Sequence, residues 1–270
     1  MLPDLEYTRR GPAGAPTIVL LHGIGHRREA WGPVMDRLAE TYDVIAPDLS
    51  GFGRSPAFAG GVRYSMDNAC DHLLGQFERW GATKPHVVGN SLGGAIALEL
   101  GSRGLVSSVT ALSPAGFFGP VNRFQALVPL MLMRLMALFT PAALLERLAQ
   151  NPTARKLIGL PLYAKPERLD AASTYGDSLA LKHATAFERT AKEGVVYRFD
   201  SHVPVPTTIA WGTEDRLLPY AQASTARARL PYARHVPLHG AGHVPMTDDP
   251  DLIVRLVELS VADGSVKALR

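Results

Sequence analysis

Three residues of the sequence have the types and settings needed for nucleophilic catalysis at a carbonyl group. Ser91 lies within GNSLG, between an apolar run and a helical pattern. A serine hydroxyl needs a base to take its proton, and His243 follows a predicted strand in the glycine-rich stretch HGAGH. The base needs a carboxylate to orient it, and Asp215 follows another predicted strand in WGTED. The sequence therefore favours a Ser–His–Asp triad, with His239 and Glu214 as the competing base and acid.

The glycines around Ser91 have a physical role. A serine displayed on a sharp turn between a strand and a helix crowds the residues two before and two after it. Gly89 and Gly93 occupy those positions, and Gly94 permits close packing of the helix. The strain of such a turn costs on the order of 1–3 kcal/mol, so the surrounding fold must hold it. The start of the following helix adds positive potential where an oxyanion would form.

The apolar patterns around these residues alternate between strands and helices. Strands are predicted within the stretches 16–23, 43–55, 85–89, 106–114, 206–215 and 233–238, and helices within 29–42, 65–80, 91–104, 220–230 and 249–264. Ser65 is the predicted cap of the helix within 65–80. Short connections between alternating elements predict right-handed crossovers and a doubly wound, mostly parallel α/β sheet. Such sheets place their sites at the carboxyl ends of the strands, where all three candidate residues fall.

The alternation stops between residues 117 and 200, where helical patterns occur without a convincing strand. We therefore predict a core formed by residues 1–116 and 201–270. A helical cap, residues 117–200, would be inserted between two late strands of this core.

Composition and charge exclude several classes of function. The net charge of +3, without a run of five basic residues, gives no indication of nucleic-acid binding. Cys70 is the single cysteine, which rules out an intramolecular disulfide and a cysteine-based metal cluster. Its place in a helical apolar pattern predicts a core position. We expect neither a metal nor a cofactor.

Two segments of the sequence are informative about secretion and membrane insertion. The N-terminal stretch lacks the basic start, apolar core and cleavage site of a signal peptide. The most apolar stretch, residues 124–145, is interrupted by Arg134, Pro129 and Pro141, whereas a spanning helix needs about 20 mostly apolar residues. We therefore expect a cytoplasmic protein without a transmembrane segment, in which this stretch is buried or interfacial.

The order of Ser91, Asp215 and His243 along the chain resembles that of the α/β-hydrolase superfamily. The stretches HGIG, DLSGFGRS, GNSLGG, GTEDRLLP and GAGH are similar to sequence blocks of that superfamily. The resemblance extends over the chain outside the insertion. It implies an α/β-hydrolase fold in which the insertion serves as a variable cap.

The resemblance also implies how such a site would work. The backbone N–H groups of Leu92 and Ile24 would form an oxyanion hole, while His22 would shape the loop and not act as a base. Haloalkane dehalogenases and the related epoxide hydrolases place an aspartate at the elbow, where this chain has Ser91. We therefore predict a cofactor-free serine hydrolase that cleaves a small or medium apolar carboxylic ester, as its small-molecule substrate, through an acyl-enzyme.

Two other functions remain open from the sequence. Carbon–carbon bond hydrolases of ring-fission diketones share the GNSxGG style of elbow. They typically carry an HGxGPG loop and a tryptophan after the catalytic histidine, where this chain has HGIGHRR and Val244. A non-catalytic ligand-binding protein on the same fold is an alternative from a different class, although such proteins often lack a triad member.

The predicted cap supplies candidates for the substrate pocket. Apolar side chains crowd one of its segments, and flexible methionines suit an irregular apolar ligand. The pocket candidates are Leu130, Met133, Met136 and Phe139, together with Val244 beside the histidine.

Arg27 and Arg28 follow His26 at a predicted helix start, where positive charge opposes the helix dipole. A solvated surface position is the simpler interpretation. The alternative hypothesis is that one of the two arginines attracts a substrate carboxylate or phosphate at the mouth of the site.

Overall fold

The computed structural model describes residues 2–119 and 122–268, and a seven-stranded sheet forms the centre of this part. The strands are β1 (Tyr7–Arg10), β2 (Thr17–Leu21), β3 (Asp43–Pro47), β4 (His86–Asn90), β5 (Ser108–Leu112), β6 (Thr207–Gly212) and β7 (Arg234–Leu238). Their order across the sheet is β1-β3-β2-β4-β5-β6-β7. Only the pair of β1 with β3 is antiparallel among the described strands. The predicted doubly wound, mostly parallel sheet is confirmed.

Helices cover the sheet and form the stretch between β5 and β6. They are α1 (Gly32–Leu38), α2 (Met66–Trp80), α3 (Leu92–Ser102), α4 (Asn122–Phe139), α5 (Ala142–Gln150), α6 (Pro152–Gly159), α7 (Ala171–His183), α8 (Phe187–Val196), α9 (Gln222–Arg229), α10 (Pro245–Asp248) and α11 (Pro250–Ala268). Short 3₁₀ turns occur at Arg28–Trp31 and Pro166–Arg168. Ser65 caps α2 by accepting a hydrogen bond from the Asn68 N–H, as the sequence pattern predicts.

The sheet separates two apolar cores because successive side chains of a strand point to opposite faces. Val19 and Leu21 of β2 belong to the core that also contains Cys70, while Ile18 and Leu20 belong to the other. All four β2 side chains are fully buried. This burial on both faces explains the continuous apolar run in the sequence, which is typical of a parallel strand.

The β1 strand is not predicted from the sequence. Its residues, YTRR, are half-buried or exposed, so they show no apolar pattern. Backbone pairing with β3 holds the strand at the edge of the sheet, and the Arg9 guanidinium donates hydrogen bonds to the Asp43 carboxylate at 2.8 and 2.7 Å.

Helices α4 to α8 occupy the stretch predicted to be the cap. Between β5 and β6 the described residues form helices and turns without a strand. No single helix of the described chain is long and apolar enough to cross a membrane. Gln125–Phe139 and Ala142–Gln150 meet that criterion only as a pair, bent by 112°.

The turn from β4 into α3 is packed too tightly for any side chain at two glycines. A Cβ atom on Gly89 would lie 2.1 Å from the Gly93 carbonyl oxygen, and one on Gly93 would lie 2.1 Å from the Leu21 carbonyl oxygen. Both contacts are with backbone, which cannot rotate away. The predicted reason for these glycines, crowding around the serine, is therefore visible as backbone contact.

We expect Gly89→Ala to lower the free energy of unfolding by about 2–3 kcal/mol, because the added carbon overlaps backbone atoms. Gly75→Ala in α2 is the matched control. Its Cβ meets nothing within 4 Å, so the change should raise stability by about 0.5–1 kcal/mol. Urea denaturation of both variants checks this, and equal stability of the two variants would contradict it.

Candidate active site

Ser91 lies on a strained turn between β4 and α3. Its φ of 56° and ψ of −113° fall outside the regions that a non-glycine residue ordinarily adopts. The Ser91 N–H donates to the Leu112 carbonyl oxygen at 2.9 Å, and its carbonyl oxygen accepts from Ala95 and Ala115. These three backbone hydrogen bonds hold the strained residue in place. The turn therefore has the geometry of the serine elbow predicted from GNSLG.

The loop after β2 lies directly against this elbow. A Cβ atom on Gly23 would lie 3.2 Å from the Ser91 Cβ, so glycine permits the approach. Ile24 and Leu92, the two predicted oxyanion donors, both lie beside Ser91, since Ile24 lines the same cavity as the serine and Leu92 begins α3. The resulting arrangement brings the loop backbone and the start of a helix to one side of the serine.

His22 connects this loop to the loop after β3. Its Nδ1 donates to the Gly23 carbonyl oxygen at 2.7 Å, and its Nε2 accepts from the Leu49 N–H at 2.9 Å. Complete burial lowers the pKa of His22 to about 4, so the ring is neutral at pH 7. With both nitrogens engaged, the imidazole has the loop-shaping position that the resemblance implies and has no free nitrogen to act as a base.

His243 and Asp215 are joined by a hydrogen bond across two loops. His243 Nδ1 lies 2.8 Å from Asp215 Oδ2, and both side chains are buried. The other carboxylate oxygen accepts backbone N–H groups of Leu217 at 2.9 Å and Leu218 at 2.7 Å. Because the carboxylate only accepts, Nδ1 carries the proton and Nε2 is the free acceptor.

Asn90 is a positioning residue that the sequence reasoning did not single out. Its Nδ2 donates to the His243 carbonyl oxygen at 2.8 Å and to the Leu112 carbonyl oxygen at 3.1 Å. The residue before the serine thus anchors the backbone of the histidine. The available signal was a polar side chain at the end of a fully buried strand, which requires a hydrogen-bonding partner.

Asp248 holds the histidine loop from the other side, and sequence reasoning also missed it. Its carboxylate is fully buried and accepts hydrogen bonds from the N–H groups of Gly242 at 2.7 Å, Ala164 at 3.1 Å and Lys165 at 2.8 Å. The last two residues lie between α6 and α7. One carboxylate therefore fastens the loop of His243 to the helical stretch between β5 and β6.

The competing candidates lie elsewhere. His239 and Glu214 are exposed, whereas His243 and Asp215 are buried and bonded to each other. His235, in β7, has its Nε2 at 2.8 Å from the Leu230 carbonyl oxygen, so this nitrogen is engaged locally.

A cavity of about 770 Å³, including its mouth, contains the serine and the histidine. Leu130, Met133 and Val244, three of the predicted pocket candidates, line it. Met136 and Phe139 do not: they are 63% and 82% exposed on the outer side of α4. Their assignment to the pocket is wrong, because large apolar residues lie on both sides of α4 and hydrophobicity alone does not reveal its inner face.

A second, apolar cavity also adjoins the serine. It shares Ile24, Ser91, Leu130 and Leu217 with the first cavity and is otherwise lined mainly by apolar side chains of the helical stretch, among them Phe118 and Leu127. The serine therefore lines both cavities, and of the two only the first also contains the polar side chains of His26 and Asp177. Such an arrangement can hold the two halves of a substrate separately.

The first cavity has a polar end formed by His26, Tyr163 and Asp177. His26 Nε2 lies 3.4 Å from the Tyr163 hydroxyl and 3.7 Å from Asp177 Oδ2. Burial raises the pKa of Tyr163 well above its ordinary value, which keeps its hydroxyl protonated. These side chains provide the first cavity with hydrogen-bonding groups.

Arg27 and Arg28, which follow the loop after β2, are paired within the protein. The Arg28 guanidinium is buried and forms a salt bridge with Asp48, whose Oδ1 also accepts the Arg28 N–H at 2.7 Å. Arg27 Nε donates to Asp177 Oδ1 at 2.7 Å. The expectation of a solvated surface is therefore wrong for Arg28, and neither charge is left unpaired for a substrate anion.

No group of three or more histidine, cysteine, aspartate or glutamate side chains in the described part of the chain could hold a metal ion. The single cysteine, Cys70, is buried in the core, as predicted from its helical pattern.

A mostly parallel sheet with a serine on a strained elbow, and a histidine–carboxylate pair at the same edge, defines the α/β-hydrolase class. A sequence profile described as the alpha/beta hydrolase family matches residues 18–256. The chain therefore belongs to the α/β-hydrolase family.

Known proteins resemble the chain over most of its length. The uncharacterized protein Rv2715 of Mycobacterium tuberculosis is 29% identical over 270 residues, covering 90% of this chain and 74% of that protein. Epoxide hydrolase EphH of the same organism is 30% identical over 200 residues, covering 69% of this chain and 90% of its own. The crystal structure of naproxen esterase from Bacillus subtilis superimposes with a TM-score of 0.76 at 20% identity, covering 95% and 87% of the two chains. That last similarity supports the fold alone.

We expect His22 to make the protein less stable in mild acid. Its folded pKa of about 4 lies below the unfolded value of 6.5, so the unfolded state takes up the proton first. Its contribution is fully present above pH 6.5, and up to about 3 kcal/mol is lost as the pH falls from 6.5 to 4. Chemical denaturation at several pH values should show a shallower decline for His22→Gln than for wild type. His239→Gln, at an exposed position, is the control, and an unchanged slope in His22→Gln would refute the assignment.

Proposed function

We propose that this protein is a cofactor-free serine hydrolase that cleaves carboxylic esters through an acyl-enzyme. The observation that carries the proposal is the 2.8 Å hydrogen bond between His243 and Asp215 in a site whose cavity also contains Ser91. A histidine oriented by a buried carboxylate has its second nitrogen available to accept a proton. A serine hydroxyl at the same cavity is the group that such a base activates.

The reaction would proceed in two halves. Ser91 Oγ attacks the ester carbonyl carbon while His243 Nε2 takes the hydroxyl proton, and Asp215 stabilises the resulting imidazolium. The backbone N–H groups of Ile24 and Leu92 donate to the oxyanion. His243 then protonates the alkoxide oxygen as the C–O bond breaks and the alcohol leaves. Water, deprotonated by His243, attacks the acyl-enzyme, which releases the carboxylic acid and restores Ser91.

The similarity to an epoxide hydrolase does not favour epoxide opening here. An aspartate nucleophile forms an ester with the opened epoxide, and water can attack the carbonyl group of that ester. Ser91 would form an alkyl ether, which has no carbonyl group for water to attack. A serine nucleophile at this elbow therefore favours substrates that bring their own carbonyl carbon.

The two cavities suggest how an ester would be oriented. The apolar cavity, with Phe118 and Leu127, suits an acyl chain, because burial of each methylene stabilises the complex by about 0.8 kcal/mol. The first cavity, with the hydrogen-bonding groups of His26 and Asp177, suits a leaving alcohol that carries a further polar group. We therefore assign the substrate as an ester with an apolar acyl group of small or medium length.

Labelling with a fluorophosphonate probe tests the nucleophile. The wild type should be labelled, and Ser91→Ala should not, because the probe bonds to an activated serine oxygen. Ser178→Ala is the matched control, since Ser178 also lines the first cavity and lacks an oriented histidine. Asp215→Asn should keep the fold and lower kcat at least about 10²-fold on p-nitrophenyl esters.

Equal labelling of wild type and Ser91→Ala would contradict the proposal. An unlabelled, correctly folded wild type would instead favour the ligand-binding alternative. Activity on a ring-fission diketone that exceeds activity on every ester of the panel would favour carbon–carbon bond cleavage.

We expect Leu127→Trp to shorten the acyl chain that the enzyme accepts. Leu127 lines only the apolar cavity, so a larger ring there should lower kcat/KM for p-nitrophenyl octanoate about tenfold relative to the acetate. Met133→Trp is the control on the same helix, because Met133 lines only the first cavity. A loss in Leu127→Trp that is independent of acyl length would refute the orientation assigned to the ester.

A further inference from the structure

Helix α4 is apolar on both its inner and its outer side. Its inner positions pack into the protein, where Ala126 and Ala137 are buried and Leu130 and Met133 line the first cavity. The outer positions follow the helical spacing of four, three and four residues, and they are exposed: Val128, Leu132, Leu135 and Phe139. A surface helix ordinarily presents polar residues outward. The outer side of α4 therefore lacks the composition expected for contact with water.

Exposed apolar side chains also occur in and directly after the two following helices. Of the 14 large hydrophobic residues that are exposed in the described part of the chain, nine lie between residues 128 and 160. We name these nine the α4–α6 face: Val128, Leu132, Leu135, Met136, Leu138, Phe139, Leu144, Leu157 and Leu160. A concentration of exposed large apolar side chains in one segment is typical of an interaction site.

The charged residue within this part of α4 is withdrawn from the face. Arg134 is buried, with Nε donating to Glu188 Oε1 at 2.8 Å and Nη2 donating to the Ala184 carbonyl oxygen at 3.1 Å. Beyond the helix end, Lys182 Nζ donates to the carbonyl oxygens of Leu138 at 2.6 Å and Thr140 at 3.0 Å. Arg134 and Lys182 therefore lie on the inner side and at the end of the helix, and the positions exposed between Val128 and Phe139 are apolar.

The sequence around the face is strongly basic. Residues 122–165 contain six lysines or arginines and one acidic residue. Of these, Arg147, Lys156 and Glu146 are exposed, whereas Arg134 is buried. Arg147 and Lys156 are exposed on α5 and α6, among the apolar side chains. An apolar surface bordered by cations is complementary to anionic lipid headgroups above acyl chains. It is not complementary to a second copy of itself, because a two-fold contact would bring like charges together.

We propose that the α4–α6 face binds the surface of anionic phospholipid bilayers, lying in the interface without crossing it. The bend of 112° between Gln125–Phe139 and Ala142–Gln150 places Phe139 at a corner, where it is 82% exposed. The apolar side chains would enter the boundary between headgroups and acyl chains, and Arg147 and Lys156 would contact lipid phosphates. This binding is separate from the proposed ester hydrolysis, since the outer residues of α4 do not line the cavity with Ser91.

Sedimentation of the full-length protein with vesicles tests the proposal. Vesicles of phosphatidylcholine mixed with phosphatidylglycerol should carry the wild type down, and added salt should weaken this binding. Leu132→Glu should reduce the partition coefficient at least about tenfold, because a charge replaces an aliphatic side chain that would enter the lipid. Leu259→Glu is the matched control: Leu132 is 57% exposed and Leu259, in α11, is 51% exposed. The control should bind as the wild type does.

The remaining outcomes would overturn the proposal. The first is that the wild type does not bind the mixed vesicles. The second is that Leu132→Glu and Leu259→Glu lose vesicle binding to the same extent. The third is that the wild type binds vesicles of phosphatidylcholine alone as strongly as the mixed vesicles. Sedimentation equilibrium without lipid provides the other arm: a dimer that Leu132→Glu dissociates would make a second copy the occupant of the face. Turnover of a water-soluble ester should be unchanged in Leu132→Glu, so loss of lipid binding and failure of the hydrolase proposal are distinguishable.

Discussion

Backbone segments meet around Ser91 without room for one additional carbon atom, and the site depends on this contact. A Cβ atom on Gly89 or on Gly93 would lie 2.1 Å from a backbone oxygen, and one on Gly23 would lie 3.2 Å from the serine side chain. Glycine at these positions lets β4, α3 and the loop after β2 approach one another directly. The positions of the Ile24 and Leu92 N–H groups follow from backbone packing. Side chains at the opening of the cavity are therefore free to differ without moving the proposed oxyanion donors.

The same principle places the histidine and the carboxylate. A Cβ atom on Gly212, at the end of β6, would lie 2.2 Å from the Gly242 carbonyl oxygen, so the two loops cross in backbone contact. Asp215 and His243 follow that crossing within a few residues, which leaves their side chains little freedom. Asn90 then joins the crossing to the elbow through its hydrogen bond to the His243 carbonyl oxygen. Proposed nucleophile and proposed base are therefore connected by one side chain as well as by the sheet.

The sequence was informative wherever the cause of structure is local. Apolar strands buried on both faces, the Ser65 cap of α2 and the glycines around Ser91 all follow from patterns within a few residues, and the structure confirms them. The pairing of Arg28 with Asp48 spans 20 residues, and the contact of Asn90 with His243 spans 153. Neither partner is identifiable until the fold brings the two together, so both contacts required the structure.

Helix α4 shows a different limit of sequence reasoning. Hydrophobic periodicity identifies the inner side of a helix only when the outer side is polar. Because large apolar residues lie on both sides of α4, Leu130 and Phe139 are indistinguishable in the sequence, although one lines the cavity and the other is exposed. An apolar outer side is itself informative once the fold shows that protein does not cover it. The apolar outer side of α4 is the reason that Met136 and Phe139 were assigned to the pocket. It is also the property that distinguishes this helix from an ordinary surface helix.

The two sides of α4 are physically coupled because they belong to one helix. Leu130 separates the two cavities beside Ser91, and Leu132 lies two residues further on, on the outer side. A contact that displaced α4 as a whole would therefore also move the wall of both cavities. The proposed lipid surface and the proposed substrate site therefore share a structural element without sharing a residue. A substrate delivered from a lipid phase would meet this helix before it reached the serine.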